Sequence, residues 1–292
     1  MQHTILVTGG TGTLGSHVVA RLRDTEREVR VLSRHPHETA NGKDEGIEFV
    51  VGNLATGIGI DAAVDGAEII VHCAGGAKGD GDKAVNLIRA ASRTGGIQHL
   101  VYISVVGADK VPVVSGVDRA MFGYFASKLA AERAVADSGL PWTTLRATQF
   151  YDTLLLVARQ MAKLPMIPLP SGFRFQPIDP SEVGAQLAKL ALGAPIGLAS
   201  DMAGPKVYQT DELIGEYLRA SHKRRPIIPV WLPGKAARAV RSGVILAPDR
   251  AVGRRTWEEF LAERVASPGN GASSRPAPPT GSGKQGHVLN QY

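Results

Sequence analysis

The sequence predicts an α/β fold built on a doubly wound parallel sheet. Short apolar runs alternate with stretches of helical periodicity through the first half of the chain, which is the rhythm of βαβ units. A glycine-rich turn follows the first apolar run directly. Predicted strands lie near residues 4–8, 28–33, 47–51, 68–74, 98–104 and 142–147. Because parallel strands need right-handed crossovers, helices are expected on both faces of the sheet.

The turn after the first strand carries glycines at the spacing G-x-x-G-x-x-G. Without side chains, Gly9, Gly12 and Gly15 permit a tight turn, close approach to a pyrophosphate and close packing of helix on strand. Amides at the N-terminus of the helical stretch 17–23 then face the anion. A glycine triplet also occurs in ordinary strand-to-helix turns, but its position between two strand predictions favours a dinucleotide.

The remaining predicted helices divide the chain into one domain and a tail. Helical patterns cover residues 82–94, 124–138, 179–192, 211–220 and 256–265, with Asp179 or Ser181 as the N-cap of the third. We interpret the proline-rich stretch 150–180 as a loop excursion over the active site. Residues 1–265 are thus predicted to form a dinucleotide-binding domain, with substrate-side elements at about 150–180 and 206–265, and residues 266–292 a disordered tail.

Composition sets the broad class. The chain has 292 residues, 43% of them hydrophobic, which suits one large domain. We expect a cytoplasmic protein, because neither a membrane span nor a leader is evident. The single cysteine, Cys73, excludes an internal disulfide, and we read it as an inert thiol near the cofactor.

A basic segment, residues 219–255, holds ten lysines and arginines against one acid, Asp249. It is either a solvated surface or a site for an anionic substrate, an acidic partner or nucleic acid. Trp231 is its only aromatic residue, which argues against a nucleic-acid groove with stacking platforms.

The ends of the second, third and fourth strands indicate the cofactor. NAD-selective sites place an acid after the second strand, but this chain has Ser33 and Arg34, which can bind a 2′-phosphate. NADP(H) is therefore predicted rather than NAD. The loops containing Asn53-Leu54 and Ala74-Gly75 are further candidate walls, although an asparagine in a loop is often a turn residue.

The catalytic candidates are a tyrosine and a lysine. Tyr124 and Lys128 are four residues apart on a predicted helix, so they project from one face. A nearby ammonium stabilises a phenolate, so Lys128 is expected to lower the pKa of Tyr124, and it could also bind the cofactor ribose. Ser104 ends the fifth strand and could bond a substrate carbonyl. An incidental pair on an amphipathic helix is the alternative, and no metal site is expected.

At these motifs the chain resembles the short-chain dehydrogenase/reductase superfamily, in its atypical, NmrA-like branch of NAD(P)H-binding proteins with a Rossmann fold. The resemblance covers about residues 1–265 and rests on TGGTGTLG, SRHP, GNL, HLVYISVVGAD, YFASKLAAE and GLPWTTLRATQFYD. It implies that the following bind the cofactor: Gly9, Thr11, Gly12, Thr13, Leu14, Gly15, Ser33, Arg34, Asn53, Leu54, Ala74, Gly75 and Lys128.

The resemblance also implies catalysis by Tyr124 and Lys128 with Ser104, and a nicotinamide and substrate pocket lined by Gln149 and Phe150. Three positions depart from the family pattern. Asn53 replaces a common aspartate, Val105 replaces a common second serine, and Ala147 replaces a frequent proline after the arginine of the sixth strand. With Val105 in place, Ser104 alone is left to polarise a carbonyl.

The sequence therefore predicts an NADP-dependent oxidoreductase that passes hydride to a small carbonyl, quinone or related acceptor. A sugar-nucleotide epimerase is less favoured, because the C-terminal region is small for that substrate. The rival from another class is a non-catalytic NADP(H) sensor that binds a partner through the basic segment. NmrA-like sensors have lost the Tyr/Lys pair, which this chain keeps. The resemblance allows a homodimer, for which the residues give no direct evidence.

Overall fold

The computed structural model describes residues 4–36, 46–76 and 78–265, and within them a parallel sheet organises the chain. The strands are β1 (Thr4–Thr8), β2 (Glu28–Ser33), β3 (Ile47–Val51), β4 (Ala67–His72), β5 (His99–Val105), β6 (Trp142–Ala147), β7 (Ile167–Pro170), β8 (Arg174–Phe175), β9 (Gly197–Leu198), β10 (Tyr208–Gln209) and β11 (Ile227–Val230).

The helices are α1 (Thr13–Arg23), α2 (Ile60–Val64), α3 (Asp80–Thr94), α4 (Gly116–Ala136), α5 (Tyr151–Met161), α6 (Pro180–Ala191), α7 (Thr210–Ala220), α8 (Lys235–Arg241) and α9 (Trp257–Val265). In the described ranges, none of them has the length and apolar character that crossing a bilayer requires.

The main sheet has the strand order β3-β2-β1-β4-β5-β6-β9, and each neighbouring pair is parallel. The chain winds outward in one direction from β1 to β3 and in the other from β4 to β6, so the order reverses between β1 and β4. The loops that follow β1 and β4 leave this point of reversal in opposite directions, so they open a crevice at the carboxyl edge of the sheet. The fold class is the α/β, doubly wound sheet that the sequence predicts, with its six main strands within two residues of their expected bounds.

Apolar side chains form a core on each face of the sheet. On one face, buried residues of α1 and α6, such as Val18 and Leu187, pack against β1 and β5. On the other, α2, α3 and α4 bury residues such as Leu87 and Ala131 against β4 and β5. Tyr102 of β5 is fully buried on this second face, where α3 and α4 meet.

Two helix predictions need correction. Helix α4 begins at Gly116 rather than Tyr124, because Ser115 and Asp118 form a capping box that starts the helix two turns earlier. Residues 150–180 are not one loop, since α5 occupies 151–161 and β7 and β8 follow it. The predicted disordered tail at 266–292 lies outside the described residues.

The C-terminal elements form their own apolar cluster. Trp257 is fully buried and contacts the rings of Tyr151 and Phe260, at centroid distances of 5.7 and 5.6 Å. The Trp257 indole N–H donates to the carbonyl oxygen of Leu213 at 3.1 Å. This cluster joins α5, α7 and α9, so it holds the residues after β6 against one another.

We expect Trp257→Ala to destabilise the protein by about 3–5 kcal/mol, because it removes a large buried ring and leaves a cavity. Urea unfolding followed by circular dichroism measures this change. The control is Trp231→Ala, since Trp231 is exposed and only stacks on Arg241, and its cost should be about 1 kcal/mol or less. Equal destabilisation by both substitutions would contradict the assignment of Trp257 as the centre of the cluster.

Candidate active site

At Gly9 and Gly15, around the turn between β1 and α1, the backbone leaves no room for a side chain. Gly9 has a φ of +71°, and a Cβ there would lie 2.7 Å from the backbone nitrogen of Ala74. A Cβ on Gly15 would lie 2.1 Å from the carbonyl oxygen of Gly9. Gly12 is the N-cap of α1 and has no side chain to bond the first-turn amides. These amides are therefore available to an anion, as the glycine spacing predicts.

A cleft of about 370 Å³ opens at this turn and runs along the carboxyl ends of β1 to β4. Nine of the thirteen predicted cofactor residues line it: Gly9, Thr11, Gly12, Ser33, Arg34, Asn53, Leu54, Ala74 and Gly75. Thr13, Leu14 and Gly15 form the start of α1 beside it. Cleft residues that the sequence analysis did not select are Leu32, Gly52, Ala55, Cys73 and Lys83.

At one end of the cleft, Ser33 and Arg34 form a polar corner after β2. The Ser33 hydroxyl donates to the carbonyl oxygen of His35 at 2.8 Å, so it stabilises the loop. Arg34 is exposed and has no carboxylate partner among the described residues. Asn53 accepts the Ala55 N–H through its side-chain oxygen at 2.9 Å, which makes it a turn residue as well as a cleft wall. Arg34 is thus the cation of this corner.

At the other end, Lys128 is buried behind Gly75. Its Nζ lies 3.1 Å from Oδ2 of Asp80 and donates to the carbonyl oxygen of Ile103 at 3.3 Å. A Cβ on Gly75 would lie 3.0 Å from this Nζ, so the absence of a side chain at Gly75 lets the ammonium approach the cleft wall. The Tyr124 ring centroid is 5.9 Å from the same Nζ, which confirms that the two side chains share one face of α4.

Asp80 is a site residue that sequence reasoning missed. It is the first residue of α3, is fully buried, and also pairs with Lys83 at 3.1 Å through Oδ1. The Asp80–Lys83 spacing of three residues at a helix start is visible in the sequence. The partnership with Lys128 is not, because it joins residues 48 positions apart through the packing of α3 on α4.

The expected lowering of the Tyr124 pKa is wrong, because the net shift is upward. Although Tyr124 is 39% exposed, partial desolvation of its phenol, followed by the negative charge of Asp80, raises the pKa of Tyr124 to about 12. The carboxylate of Asp80 offsets the ammonium charge that the sequence analysis assigned to lowering this pKa. Tyr124 is therefore a neutral phenol, able to donate a proton, throughout the neutral range.

Ser104 is buried near the end of β5, on the strand face of Tyr102. Its Oγ has no hydrogen-bond partner in the described part of the chain. A buried hydroxyl without a partner costs free energy, so an oxygen brought in by a ligand would stabilise it. The Tyr102 ring centroid lies 5.2 Å from the Nζ of Lys128. Ser104 thus follows, two positions further along β5, the residue that contacts the ammonium group.

Gln149 and Phe150 lie after β6. The family resemblance implies that these two residues line the nicotinamide and substrate pocket. The Gln149 amide donates to the carbonyl oxygen of Ile245 at 3.4 Å and accepts the N–H of Gln176 at 3.3 Å. Phe150 packs against the apolar core and is the N-cap of α5. Gln149 thus connects the main sheet to the C-terminal region, and neither residue is among those that line the cleft.

The comparison with known proteins decides the class of ligand for this cleft. A family model described as NAD(P)H-binding matches residues 9–160, which is more than half of the chain. The chain belongs to the NAD(P)H-binding family. The predicted cofactor class, NAD(P)H, is confirmed by this match.

Two curated relatives of this NAD(P)H-binding protein align over most of its length. It is 28% identical over 217 residues to a (4-alkanoyl-5-oxo-2,5-dihydrofuran-3-yl)methyl phosphate reductase of Streptomyces griseus, covering 74% of this chain and 73% of the relative. It is 25% identical over 243 residues to an NAD(P)H azoreductase of Xenophilus azovorans, covering 82% and 81%.

A solved structure shares the fold of this NAD(P)H-binding protein. The NADPH complex of an NADPH-dependent quinone oxidoreductase from Escherichia coli superposes with a TM-score of 0.73 at 19% identity. The alignment covers 89% of this chain and 99% of that one. The predicted doubly wound, Rossmann-type architecture is thereby confirmed.

Cys73 provides a test of the cleft, because it is the only cysteine and lines the cavity. Burial raises the pKa of its thiol to about 12. Since the thiolate is the nucleophile, we expect alkylation by iodoacetamide near pH 8 to be at least about 100-fold slower than for a free thiol of pKa about 8.5.

The rate of Cys73 alkylation should rise about tenfold per pH unit up to about pH 10, without levelling. Added NADPH should slow it further by filling the cleft. Mass spectrometry measures the label, and Cys73→Ser gives the background. A rate that levels off near pH 8.5 would show that the thiol is not buried as described.

Proposed function

We propose that this NAD(P)H-binding protein is a reductase that uses NADPH and reduces a small carbonyl, quinone or related acceptor. The observation that carries the proposal is the position of the Lys128 ammonium directly behind Gly75, at the end of the cofactor cleft, with the Tyr124 ring centroid 5.9 Å from it. The two relatives, an NAD(P)H azoreductase and a (4-alkanoyl-5-oxo-2,5-dihydrofuran-3-yl)methyl phosphate reductase, support the reaction class.

The cleft residues fit NADPH in this proposal. The Gly9–Gly12 turn holds the pyrophosphate, because a Cβ at Gly9 would fill the space at the end of β4 and the first-turn amides are available to an anion. Arg34 binds the 2′-phosphate, since it is a cation with no carboxylate partner among the described residues at the position where NAD-selective sites carry an acid. When bound, NADPH supplies the hydride.

Three side chains act on the acceptor and the ribose. Tyr124 donates a proton to the acceptor oxygen, because its raised pKa keeps the phenol protonated. Lys128 holds the nicotinamide ribose through its ammonium group, and Ser104 donates its unpartnered hydroxyl to the acceptor oxygen. Tyr124 and Lys128 lie on α4, and Ser104 lies near the end of β5. In this proposal all three act at the carboxyl edge of the sheet.

The acceptor side of the site is closed by the C-terminal region. Helix α8 packs its apolar face against Phe122 of α4 and Phe173 after β7. The next residues reach back over the sheet, where a Cβ on Gly107 would meet the carbonyl oxygen of Val244 at 2.8 Å. Residues 206–265, together with the segment after β6, therefore form the acceptor-side wall in this proposal, within the domain assigned to residues 1–265.

The structure gives less support to the sensor alternative, which rests on the basic segment 219–255. Arg255 pairs with Asp179 and Glu263, and the Arg241 guanidinium stacks on Trp231 at 3.8 Å. Part of the positive charge thus stabilises the fold, while the exposed Lys223 and Arg224 remain on a surface loop. The cytoplasmic location and the homodimer stay predictions from the sequence.

Arg34→Ala tests the cofactor preference. A charge-assisted hydrogen bond is worth about 1.5–3 kcal/mol, so we expect the dissociation constant for NADPH to rise roughly 10- to 100-fold. The constant for NADH should change by about twofold or less. Fluorescence titration measures both, with the exposed Arg133→Ala on α4 as the matched control. Equal losses for the two cofactors would refute a 2′-phosphate site at Arg34.

Tyr124→Phe tests the proton donor. We expect kcat for aldehydes and ketones to fall by about 10²–10⁴-fold, because general acid catalysis contributes about that factor. The dissociation constant for NADPH should stay the same, since the ring and its edge contact with Phe125 are kept. NADPH consumption across aldehydes, ketones, quinones and azo dyes is the measurement.

Quinones need no protein acid, so their turnover rates in Tyr124→Phe serve as the comparison for the carbonyl acceptors in the same variant. Wild-type rates with Tyr124→Phe on every carbonyl would remove Tyr124 from the mechanism. Tight NADPH binding without turnover on any acceptor would overturn the reductase proposal and favour the sensor.

A further inference from the structure

We propose that Asp80 is a positioning residue that fixes the Lys128 ammonium beneath Tyr124 and offsets its charge, so that the Tyr124 phenol keeps its proton to a higher pH. This inference rests on the proposed function above, since it concerns the same tyrosine and lysine. It adds a buried carboxylate that belongs neither to the Tyr/Lys pair nor to the glycine-rich turn.

The backbone as well as the side chain of Asp80 ties α3 to the catalytic turn of α4. The Asp80 N–H donates to Oγ of Ser127 at 2.9 Å, and its Oδ2 lies 3.1 Å from Nζ of Lys128, the next residue. Two adjacent residues of α4 are therefore held by one residue of α3. With the Ile103 carbonyl as a further acceptor, the Lys128 ammonium has a fixed location.

The ion pair is packed against the cofactor cleft. A Cβ on Gly75 would approach both Nζ of Lys128 and Oδ2 of Asp80, at 3.0 and 3.3 Å. The pair thus contacts the wall of the cleft at the end nearest Tyr124. The other carboxylate oxygen binds Lys83, which lines the same cleft, so one buried acid positions two cations of the site.

Few other charged groups surround the pair in the described part of the chain. From β4, burial lowers the pKa of His72 to about 3 and raises that of the Cys73 thiol to about 12, which leaves both neutral near pH 7. From β5, burial raises the pKa of Tyr102, which is therefore also neutral.

Glu132 on α4 is paired with Arg146 at 2.6 Å, so its charge is offset locally. The charged groups left at the site are Asp80, Lys83 and Lys128. Among the described residues, the Asp80 carboxylate is the charge that raises the pKa of Tyr124. Desolvation of the phenol raises it as well. Removing the carboxylate charge should therefore lower the pKa of Tyr124.

The first test is a phenolate titration of Asp80→Asn, followed by ultraviolet absorbance. The wild type minus Tyr124→Phe difference isolates the Tyr124 signal, and the same subtraction is made in the Asp80→Asn background. We expect little Tyr124 phenolate in the wild type near pH 10.5, and at least about fivefold more in Asp80→Asn, which corresponds to a fall of about one pKa unit. The matched control is Asp82→Asn, an exposed acid two residues along α3, which should leave the titration unchanged.

The second test is the pH profile of kcat/KM for an aldehyde. Because Tyr124 acts as an acid, activity should fall once the phenol ionises, and in Asp80→Asn this fall should occur at a pH about one unit lower than in the wild type. A merely structural role for Asp80 would reduce kcat/KM without changing the pH at which kcat/KM falls. If no aldehyde is turned over by the wild type, the proposed function fails, while the phenolate titration still tests Asp80 independently.

Removing one member of a buried ion pair can prevent folding, so a second pair of variants is needed. Lys128→Met and the double variant Asp80→Asn/Lys128→Met differ only in the carboxylate, and the double variant leaves no unpaired Asp80 or Lys128 charge. We expect more Tyr124 phenolate near pH 10.5 in the double variant than in Lys128→Met. Equal phenolate in this pair, or in the wild type and Asp80→Asn, would overturn the proposal.

Discussion

The backbone at Gly9 and Gly15 is the constraint on which the rest of the molecule depends. Helix α1 starts close enough to β1 that a single methyl group at Gly15 would overlap the Gly9 carbonyl oxygen, and the turn touches the end of β4 at Ala74. This contact brings the first βα turn to the point where the strand order reverses. The cleft exists because these backbones meet there without side chains between them, which is also what an approaching pyrophosphate requires.

A buried ion pair then connects the cleft to the chemistry proposed for it. Burying the Asp80 carboxylate and the Lys128 ammonium costs solvation free energy. Their attraction offsets this cost, together with the hydrogen bonds that Lys83 donates to Asp80 and that Lys128 donates to the Ile103 carbonyl oxygen. Such a pair contributes little net stability, but breaking it is expensive, at about 3–5 kcal/mol for loss of one partner. Its value therefore lies in specificity of position: it fixes α3 against α4 where the lysine, the tyrosine and the cleft wall at Gly75 come together.

Much of this architecture can be predicted from the sequence because it depends on local patterns. The six main strands are runs rich in apolar residues. The glycine spacing, the presence of Arg34 where NAD-selective sites carry an acid, and the Tyr124-x-x-x-Lys128 spacing each need only neighbouring residues. Helix α5 was missed because prolines on its C-terminal side obscured its periodicity. The pKa of Tyr124 was predicted in the wrong direction because both causes of its rise, the desolvation of the phenol and the charge of Asp80, arise from the tertiary packing that also pairs Asp80 with Lys128. Pairing of this kind has no local signature.

A crystal structure of the NADP⁺ complex tests most directly whether one cleft holds NADPH between Arg34 and the Lys128–Tyr124 pair. We predict the pyrophosphate on the amides after Gly9, the 2′-phosphate on Arg34, and a nicotinamide ribose hydroxyl within hydrogen-bond distance of Lys128, whose contact with Asp80 is kept. A cofactor bound with its nicotinamide away from Tyr124, or a 2′-phosphate in solvent with no contact to Arg34, would contradict this arrangement.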